Sequence, residues 1–595
     1  MFNQKNYTTK AKNIKTTLKK LLKRISEYKI LLIFAFLFAI GSTIFSIIAP
    51  KILGNATTEI YIGLIAKLKG IGGIDFFAIR QILIFLLIIY IISSFFSYAG
   101  ILIITHISNR ICYKLRKEVI HKLNKLPMSE YDKQTTGDIL SIITNDIDTI
   151  GLNLNNSTIQ IVTSLTTVIG IFIMMCTINV TLAFITLIIL PISIFIITKI
   201  FQKSQKYFRK NQEYLASLDA EVTEIISGHT IIKAFNAEDK LAKKFENSND
   251  NLYITSFKSQ FLSGILHPFI VFISNLNYCF IAIIGAIFAI KGKITVGNIQ
   301  SFIQYSKNFT NPISQIAQIS SGIQSMIASS ERVFNFLEKE EYLDSGKLLT
   351  KKVKGNIEFK NVIFGYSPNK IVINDFSINL KAGEKIAIVG PTGAGKTTII
   401  KLLMRFYELN SGAILLDDEN ITNYKRSELE KSFAMVLQDT WLFKGTILDN
   451  LRYGNLNASD AEVIDAAKKA NADYFIKTLP DGYNFMINES ATNISIGEKQ
   501  LLTIARAIVA NPKILILDEA TSNVDTRTEI LIQKSMNKIM ASRTSFIIAH
   551  RLSTIRNADI ILVMNQGGIA EVGTHDELLN KKGLYAKLYK SQFEK

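Results

Sequence analysis

Six stretches of mainly apolar residues dominate the first half of this sequence. They are Ile30–Ala49, Ile82–Ile104, Ile159–Ile178, Thr181–Ile200, Ile265–Ile290 and the more polar Val296–Ser320. Each is close to the ~20 residues that an α-helix needs to cross a bilayer. The mean hydropathy is +0.24 although 20% of the 595 residues are charged, so apolar and charged residues are segregated along the chain. We therefore expect an all-α polytopic membrane domain with six transmembrane helices at residues 30–340.

The net charge of +19 suits two classes of protein, nucleic-acid binders and membrane proteins with basic cytoplasmic loops. Lysine and arginine are dense in the N-terminal segment and in the loops Ser108–Ser157 and Phe201–Ser259, whereas the Asn179–Val180 link has neither. Because basic loops stay on the cytoplasmic side, both termini are predicted to be cytoplasmic and nucleic acid is not an expected partner. Helical periodicity at Ile111–Leu126 and Ala220–Phe235 predicts that the membrane helices extend into the cytosol.

Residues 1–29 are predicted to be a cytoplasmic segment with one amphipathic helix. Between Asn13 and Tyr28, apolar residues recur at helical spacing with lysines and arginines between them. A basic amphipathic helix directly before a membrane span favours a position in the membrane interface, in contact with lipid. An ordinary solvated basic helix is the alternative.

The last apolar stretch carries a polar stripe. Its amide side chains recur three or four residues apart, which places them on one side of a helix; they are Gln300, Gln304, Asn308, Asn311, Gln315 and Gln318. A polar stripe in a membrane helix predicts either a path for a small amphipathic substrate or hydrogen bonds between helices. We favour the substrate path for Gln304, Asn308, Asn311, Gln315 and Gln318.

The last third of the chain contains a phosphate-binding loop. Residues 341–354 are predicted to be a linker, and 355–595 a separate α/β domain. The strand Lys385–Val389 leads into a complete GxxxxGK[ST] motif and then into the predicted helix Ile399–Phe406. The loop residues are Gly390, Pro391, Thr392, Gly393, Ala394, Gly395, Lys396, Thr397 and Thr398. Glycines let backbone N–H groups surround an anion, Lys396 reaches the β- and γ-phosphates, and the Thr397 hydroxyl can ligate Mg²⁺.

A second apolar strand, Lys513–Leu517, ends at an acidic pair, Asp518 and Glu519. Asp518 is placed to ligate Mg²⁺, and Glu519 to polarise a water for attack on the γ-phosphate. A helix cap is the alternative explanation for an acidic pair at a strand end. The phosphate loop elsewhere in the same domain favours the catalytic interpretation.

Taken together, these motifs resemble the ATP-binding cassette transporters, specifically bacterial half-transporters of the exporter type. Further residues carry the resemblance: Tyr366 matches the aromatic that stacks on adenine, Gln438 the glutamine that contacts Mg²⁺ and the attacking water, and His550 the histidine that contacts the γ-phosphate. Asp525 ends the segment Ser522–Asp525, which matches the loop that crosses to the opposing subunit in this family. Tyr131–Leu140 and Glu213–Glu224 resemble the two cytoplasmic loops whose short coupling helices contact the cassettes.

The resemblance implies a membrane domain fused to an ABC cassette, a P-loop NTPase with a RecA-like core and a helical subdomain. It implies a Mg²⁺-dependent ATPase in the bacterial inner membrane, with a cytoplasmic cassette and a second half-transporter subunit as partner. Efflux of amphipathic or hydrophobic compounds, of the multidrug type, is the favoured function. The alternatives are a lipid or peptide exporter, an importer built on the exporter fold, and an ATP-gated regulator or channel-like protein.

The chain departs from the family at the signature Leu-Ser-Gly-Gly-Gln, where it reads Ile494-Ser495-Ile496-Gly497-Glu498. Ser495 and Gly497 keep a hydroxyl and one close backbone approach for the partner's ATP. Ile496 adds bulk, and Glu498 is expected to place an anionic side chain near a triphosphate. An intact phosphate loop beside an impaired signature favours the hydrolysis-competent half of a heterodimer, and a homodimer that tolerates the variant is the alternative.

Overall fold

The computed structural model describes residues 13–342, 344, 346–348, 353–367, 370–437, 440–518, 525–549 and 552–593. Its contacts divide the chain into two compact units. The first, the helical unit, comprises Met1–Lys122 and Thr136–Lys339. The second, the cassette unit, comprises Glu340–Lys595 together with the short segment Leu123–Thr135.

Long helices joined by short ones make up most of the described residues before the cassette. They are α1 (Ile14–Ser26), α2 (Lys29–Leu68), α3 (Phe76–Leu123), α4 (Met128–Tyr131), α5 (Thr136–Ser141), α6 (Ile147–Ile178), α7 (Val180–Ser227), α8 (His229–Ala234), α9 (Glu238–Ile290) and α10 (Val296–Leu337). Each of the six apolar stretches lies in one of these helices. Among the described residues, four helical segments are long and apolar enough to cross a membrane; they are Lys29–Leu68, Phe76–Leu123, Thr136–Ile178 and Val271–Ile290. The number of six spans stays a prediction.

Two predicted helical segments end differently in the structure. The helix expected over Ile111–Leu126 ends at Leu123 as part of α3. The segment Ala220–Phe235 is not one helix, because α7 ends at Ser227 and α8 begins after Gly228. Glycine has low helix propensity, so Gly228 is a natural place for the break. The short helix α8 therefore lies beyond Glu213–Glu224, which is part of α7.

The predicted N-terminal amphipathic helix is present as α1, and ion pairs attach it to other helices of its unit. Arg24 donates two hydrogen bonds to Glu118 of α3, at 2.5 and 2.6 Å. Lys114 of α3 donates to Glu27 at 2.6 Å, just after α1 ends. These contacts hold α1 against the C-terminal part of α3.

α10 packs tightly against α2. A Cβ atom added to Gly297 of α10 would lie 1.8 Å from the carbonyl oxygen of Gly54 in α2, so no side chain fits at this crossing. Nearby, Ser301 donates to the carbonyl of Pro50 at 2.8 Å, and the buried Tyr305 hydroxyl donates to the carbonyl of Ile47 at 2.8 Å. The helix with the polar stripe is thus fixed in register against α2.

The described part of the cassette unit is an α/β domain with three sheets. Its strands are β1 (Ile357–Phe364), β2 (Ile373–Leu380), β3 (Lys385–Val389), β4 (Ser411–Leu416), β5 (Glu419–Asn420), β6 (Phe433–Val436), β7 (Gly445–Thr446), β8 (Met486–Ile487), β9 (Ile514–Asp518), β10 (Thr544–Ile548), β11 (Ile560–Asn565) and β12 (Gly568–Gly573). Its helices are α11 (Lys396–Leu403), α12 (Arg426–Glu430), α13 (Ile447–Arg452), α14 (Asp460–Lys469), α15 (Asp473–Thr478), α16 (Ile496–Ala510), α17 (Thr526–Met540), α18 (Leu552–Arg556), α19 (His575–Asn580) and α20 (Leu584–Phe593).

The six-stranded sheet has the order β12-β11-β3-β10-β9-β6, and all its neighbours pair in parallel except β11 and β12. In β9, Leu515 and Leu517 are buried in one core while Ile514 and Ile516 are buried in another. Both faces of the sheet are therefore covered, as parallel sheets require. A four-stranded sheet of order β2-β1-β4-β5 and the pair β7-β8 complete the cassette unit.

Candidate nucleotide-binding site

The phosphate loop connects β3 to α11 at the carboxyl edge of the parallel sheet. The predicted strand Lys385–Val389 is confirmed as β3. The helix predicted over Ile399–Phe406 is present, but both of its predicted ends are wrong, because α11 spans Lys396–Leu403. Gly395 caps the start of α11 in a left-handed conformation, with φ of 98°. Arg405, two residues after the end of α11, also has a left-handed backbone, with φ of 56°.

Glycines make room for the path of this loop. Gly390 and Gly395 both have positive φ, and a Cβ atom on Gly390 would lie 2.3 Å from the carbonyl oxygen of Met564. A Cβ atom on Gly393, by contrast, meets nothing within 4 Å. Thr392, Gly393 and Thr397 are exposed, so the loop presents backbone N–H groups and a hydroxyl at an accessible surface. This arrangement fits an anion at the N-terminus of α11.

The ammonium group of Lys396 bends back over the loop. It donates to the carbonyl oxygens of Gly390 at 2.7 Å and Pro391 at 3.1 Å. Burial lowers the pKa of Lys396 from its ordinary value, and the charge of Asp518 opposes that shift. Asp518, the last residue of β9, therefore lies close enough for its charge to act on the pKa of Lys396. A carboxylate and the exposed Thr397 hydroxyl beside a phosphate-binding loop fit Mg²⁺, which prefers oxygen ligands and substrate phosphates.

Tyr366 provides an aromatic surface next to α11. Its hydroxyl lies 3.2 Å from the Oγ1 atom of Thr398, and its side chain is 49% exposed. The ring packs edge-on against Phe364 and Tyr407, with centroids 5.0 and 5.1 Å apart. Lys401 of α11 places its ammonium 5.9 Å from the centre of the Tyr366 ring. A half-exposed tyrosine held in this way can stack on a planar base.

The segment Leu123–Thr135 contacts the same cluster of side chains. The Tyr407 hydroxyl donates to the carboxylate of Asp132, and the Lys401 ammonium lies 3.5 Å from that carboxylate. The backbone N–H of Tyr342 also donates to the carbonyl of Lys125 at 3.0 Å. The sequence motifs did not identify Tyr407 or Lys401; the position of Lys401 one helical turn after the GKTT motif is the only signal that could have done so.

The signature segment lies at the start of α16. Ser495 is the N-cap residue, and the Glu498 carboxylate accepts hydrogen bonds from the Ser495 N–H at 2.9 Å and the Ser495 hydroxyl at 2.7 Å. Glu498 therefore folds back onto Ser495, and whether its charge lies near a partner's triphosphate stays a prediction. Ile496 is 53% exposed, so its bulk does lie at the surface, and Gly497 is buried.

The remaining predicted nucleotide-site residues are described only in part. Asp525 caps α17 by accepting from the Thr528 N–H at 2.9 Å, and hydrogen bonds from Thr528 lower its pKa. Gln438, Glu519 and His550 lie outside the described residues. The strands that precede them, β6, β9 and β10, are adjacent parallel strands that end at Val436, Asp518 and Ile548.

The polar stripe of α10 divides into two groups. The Oε1 atom of Gln300 accepts from Thr57 at 2.5 Å, and that of Gln315 accepts from Ser164 at 3.2 Å. Gln304, Asn308 and Gln315 are exposed. A hydrogen bond between helices therefore accounts for Gln300. Gln315 makes such a bond but is also exposed, so Gln304, Asn308 and Gln315 remain candidates for a substrate path. The side chains of Asn311 and Gln318 lie outside the described part of the chain.

Comparisons with known proteins agree across the chain. A family model for the ABC transporter transmembrane region matches residues 32–313, and the ABC transporter model matches residues 373–522. A fatty acid ABC transporter ATP-binding/permease protein of Mycobacterium bovis is 40% identical, over 96% of this chain and 95% of its own. An ATP-dependent lipid A-core flippase of Syntrophus aciditrophicus is 34% identical, over 86% and 85%. The structure of a bacterial Atm1-family ABC exporter with ATP bound superposes with a TM-score of 0.70 and 28% identity, over 93% of this chain and 98% of that one.

Proposed function

This chain belongs to the ABC transporters of the exporter type, and we propose that it moves amphipathic or hydrophobic compounds across the membrane. The membrane region and the ATP-binding cassette are fused in one chain. It is a transport ATPase of the bacterial cell membrane, with its cassette on the cytoplasmic side.

The observation that best supports ATP-driven coupling is the position of Leu123–Thr135. This segment joins α3 to α5 in the sequence, yet it packs within the cassette unit. Through Asp132 it contacts Lys401, on the helix that begins at the phosphate loop. A change at the phosphate loop can therefore reach a segment that is covalently continuous with α3.

For hydrolysis we assign roles that follow the motifs. Lys396 and the loop N–H groups would hold the phosphates, while Thr397, Asp518 and Gln438 would hold Mg²⁺, which would neutralise charge on the phosphates. Glu519 orients the attacking water, and His550 contacts the γ-phosphate. Tyr366 stacks on adenine. Ser495 and Gly497 of one subunit, with Asp525, approach the ATP held by the other.

Two observations support an amphipathic substrate. The exposed stripe residues Gln304 and Asn308 carry uncharged amides, so they offer a few weak hydrogen bonds to a substrate. The relatives named above transport fatty acid and lipid A-core, both amphipathic molecules with long apolar parts. A lipid-like substrate is therefore the first candidate, and the multidrug type predicted from sequence is the second. A peptide exporter, an importer and an ATP-gated channel remain outcomes of the test.

We propose that the working unit is a dimer. The side chains of Ile226, Ile231 and Phe235 around α8 are exposed apolar groups, with Phe235 78% exposed, and such groups are stabilised by contact with a partner surface. The sequence favours a heterodimer because of the variant signature. The Glu498 carboxylate lies 2.7 Å from the Ser495 hydroxyl, so an anion stays beside the group that would approach the partner's ATP. Glu498 and the bulk of Ile496 therefore both remain arguments for a heterodimer, and a homodimer that tolerates the variant is the alternative.

Reconstitution tests this function. The chain, purified through a tag so that any natural partner is retained, should hydrolyse ATP in lipid vesicles and move a fluorescent lipid analogue only with ATP. Glu519→Gln should bind ATP with nearly unchanged affinity yet lose turnover. Flux that requires ATP but persists in the Glu519→Gln variant would favour an ATP-gated channel, and rapid hydrolysis by the variant would contradict the role of Glu519. Full activity with transport by the chain alone would exclude the need for a different second subunit.

A further inference from the structure

The cassette unit contains two nearly identical serine–glutamate capping boxes. In the signature box, Ser495 donates to Glu498 through its N–H at 2.9 Å and its hydroxyl at 2.7 Å, and accepts from the Glu498 N–H at 3.4 Å. In the second box, at the start of α14, Ser459 makes the same three bonds with Glu462 at 2.8, 2.9 and 3.4 Å. Helix capping alone therefore explains both glutamates equally well.

Only the signature box holds a hydroxyl that the proposed mechanism uses. A serine hydroxyl has one proton to donate, and the oxygens of a triphosphate act as acceptors. Ser495 currently gives that proton to the Glu498 carboxylate. To bind a γ-phosphate through its hydroxyl, Ser495 must release Glu498. The family consensus has a neutral glutamine at this position, whereas this chain has an anionic acceptor.

Resting on the proposed function, we infer that Glu498 is a positioning residue that weakens ATP-driven closure of the dimer by retaining the Ser495 hydroxyl proton. Hydrogen bonds to a charged acceptor are roughly twice as strong as those to a neutral one. The neutral amide introduced by Glu498→Gln would compete less for the hydroxyl. Glu498 thus raises the ATP concentration that closure requires, without occupying the phosphate position itself.

The test measures ATP retention in a background that cannot hydrolyse it. The full chain with Glu519→Gln, purified through its tag in lipid nanodiscs with any natural partner, is incubated with radiolabelled ATP over a range of concentrations. Adding Glu498→Gln should lower the half-saturating ATP concentration by about fivefold, the ratio expected for exchanging a charged for a neutral acceptor. Glu462→Gln is the matched control, since it makes the same change in the twin box, and it should leave that concentration unchanged.

A double-mutant cycle with Ser495→Ala identifies the route of the effect. Without the Ser495 hydroxyl, Glu498→Gln should not lower the half-saturating ATP concentration, because Glu498 then has no hydroxyl proton to retain. A gain that persists in the Ser495→Ala background would mean that Glu498 acts directly on the triphosphate, and it would overturn the inference. Equal effects of Glu498→Gln and Glu462→Gln, or no effect of either, would show that Glu498 only caps α16 and would overturn it as well.

Failure of the proposed function would give different results from failure of this inference. If the unmodified assembly hydrolyses no ATP, or the Glu519→Gln assembly retains none at any concentration, then the transport ATPase assignment is wrong in this chain. If hydrolysis and retention are normal but Glu498→Gln matches Glu462→Gln, then only the role of Glu498 is wrong.

Discussion

The hydroxyl of Tyr407 donates a hydrogen bond to the carboxylate of Asp132, and so ties the segment between α3 and α5 to the aromatic cluster beside the phosphate loop. Burial, and to a lesser extent the bond to Asp132, raise the pKa of Tyr407 above its ordinary value. The phenol therefore stays protonated at neutral pH and remains a donor. The contact is stable below the ordinary pKa of tyrosine and weakens only as the pH rises through the raised value.

We predict that Asp132→Ala uncouples transport from hydrolysis. The variant removes the acceptor for Tyr407 and the partner of Lys401, but no group at the phosphate loop, so basal ATP hydrolysis should stay within about twofold while ATP-driven lipid flux falls severalfold. Tyr407→Phe keeps the ring contacts and removes only the hydroxyl, and it should give a smaller loss in the same direction. Loss of hydrolysis and flux in equal proportion would contradict a coupling role.

Lys396→Ala should abolish nucleotide binding. ATP at 100 times its dissociation constant stabilises a protein by about 2.7 kcal/mol, and the variant should lose this stabilisation because the ammonium group is gone. Thermal unfolding with and without ATP measures the difference. Lys381→Ala removes an exposed lysine just before β3 and should retain the full ATP-dependent shift.

Tyr366→Ala should lower the affinity for ATP about tenfold, since stacking of a base on an aromatic side chain contributes ~1–3 kcal/mol. Tyr366→Phe loses only the hydroxyl that lies 3.2 Å from Thr398 and should bind within about twofold of the natural chain. Titration with a fluorescent ATP analogue separates the two. Equal affinity in both variants would exclude a stacking role.

Arg332→Ala should destabilise the helical unit by about 3 kcal/mol, because it leaves a buried carboxylate without its cation. The Nε atom of Arg332 donates to Asp146 at 2.8 Å, and the Asp146 side chain is 5% exposed. Asp146→Asn combined with Arg332→Met removes both charges and should recover most of the stability. Thermal inactivation of ATP hydrolysis in detergent provides the measurement.

Asn308→Leu should raise the substrate concentration that half-maximally stimulates ATP hydrolysis by severalfold, since an exposed amide of the stripe is lost. Gln315→Leu removes a group that already accepts a hydrogen bond from Ser164, and it should mainly lower thermal stability, by about 1 kcal/mol. If both variants lower stability and neither changes the stimulation, then the stripe serves only contacts between helices.

Local patterns predicted the parts of this protein that depend on neighbouring residues in the chain. The apolar stretches predicted helices, and the alternation of strand, glycine loop and helix predicted the phosphate loop. The same approach placed the start of α11 three residues too late, because the conformation of Gly395 depends on how the loop packs against Ile373 and Met564. It also treated Ala220–Phe235 as continuous helix, since periodicity alone does not reveal the break at Gly228.

The sequence by itself therefore determined the fusion of a helical membrane region to an ABC cassette and the strand, glycine loop and helix of the phosphate loop. The tertiary structure decided which side chains meet. Asp132 and Tyr407 are distant in the chain, and their contact depends on Leu123–Thr135 packing within the cassette unit. The turn of Glu498 onto Ser495, by contrast, is a local capping box between residues three apart, a pattern that the sequence already contains. Motifs predict residue types and local caps, but only packing determines which side chains distant in the chain come into contact.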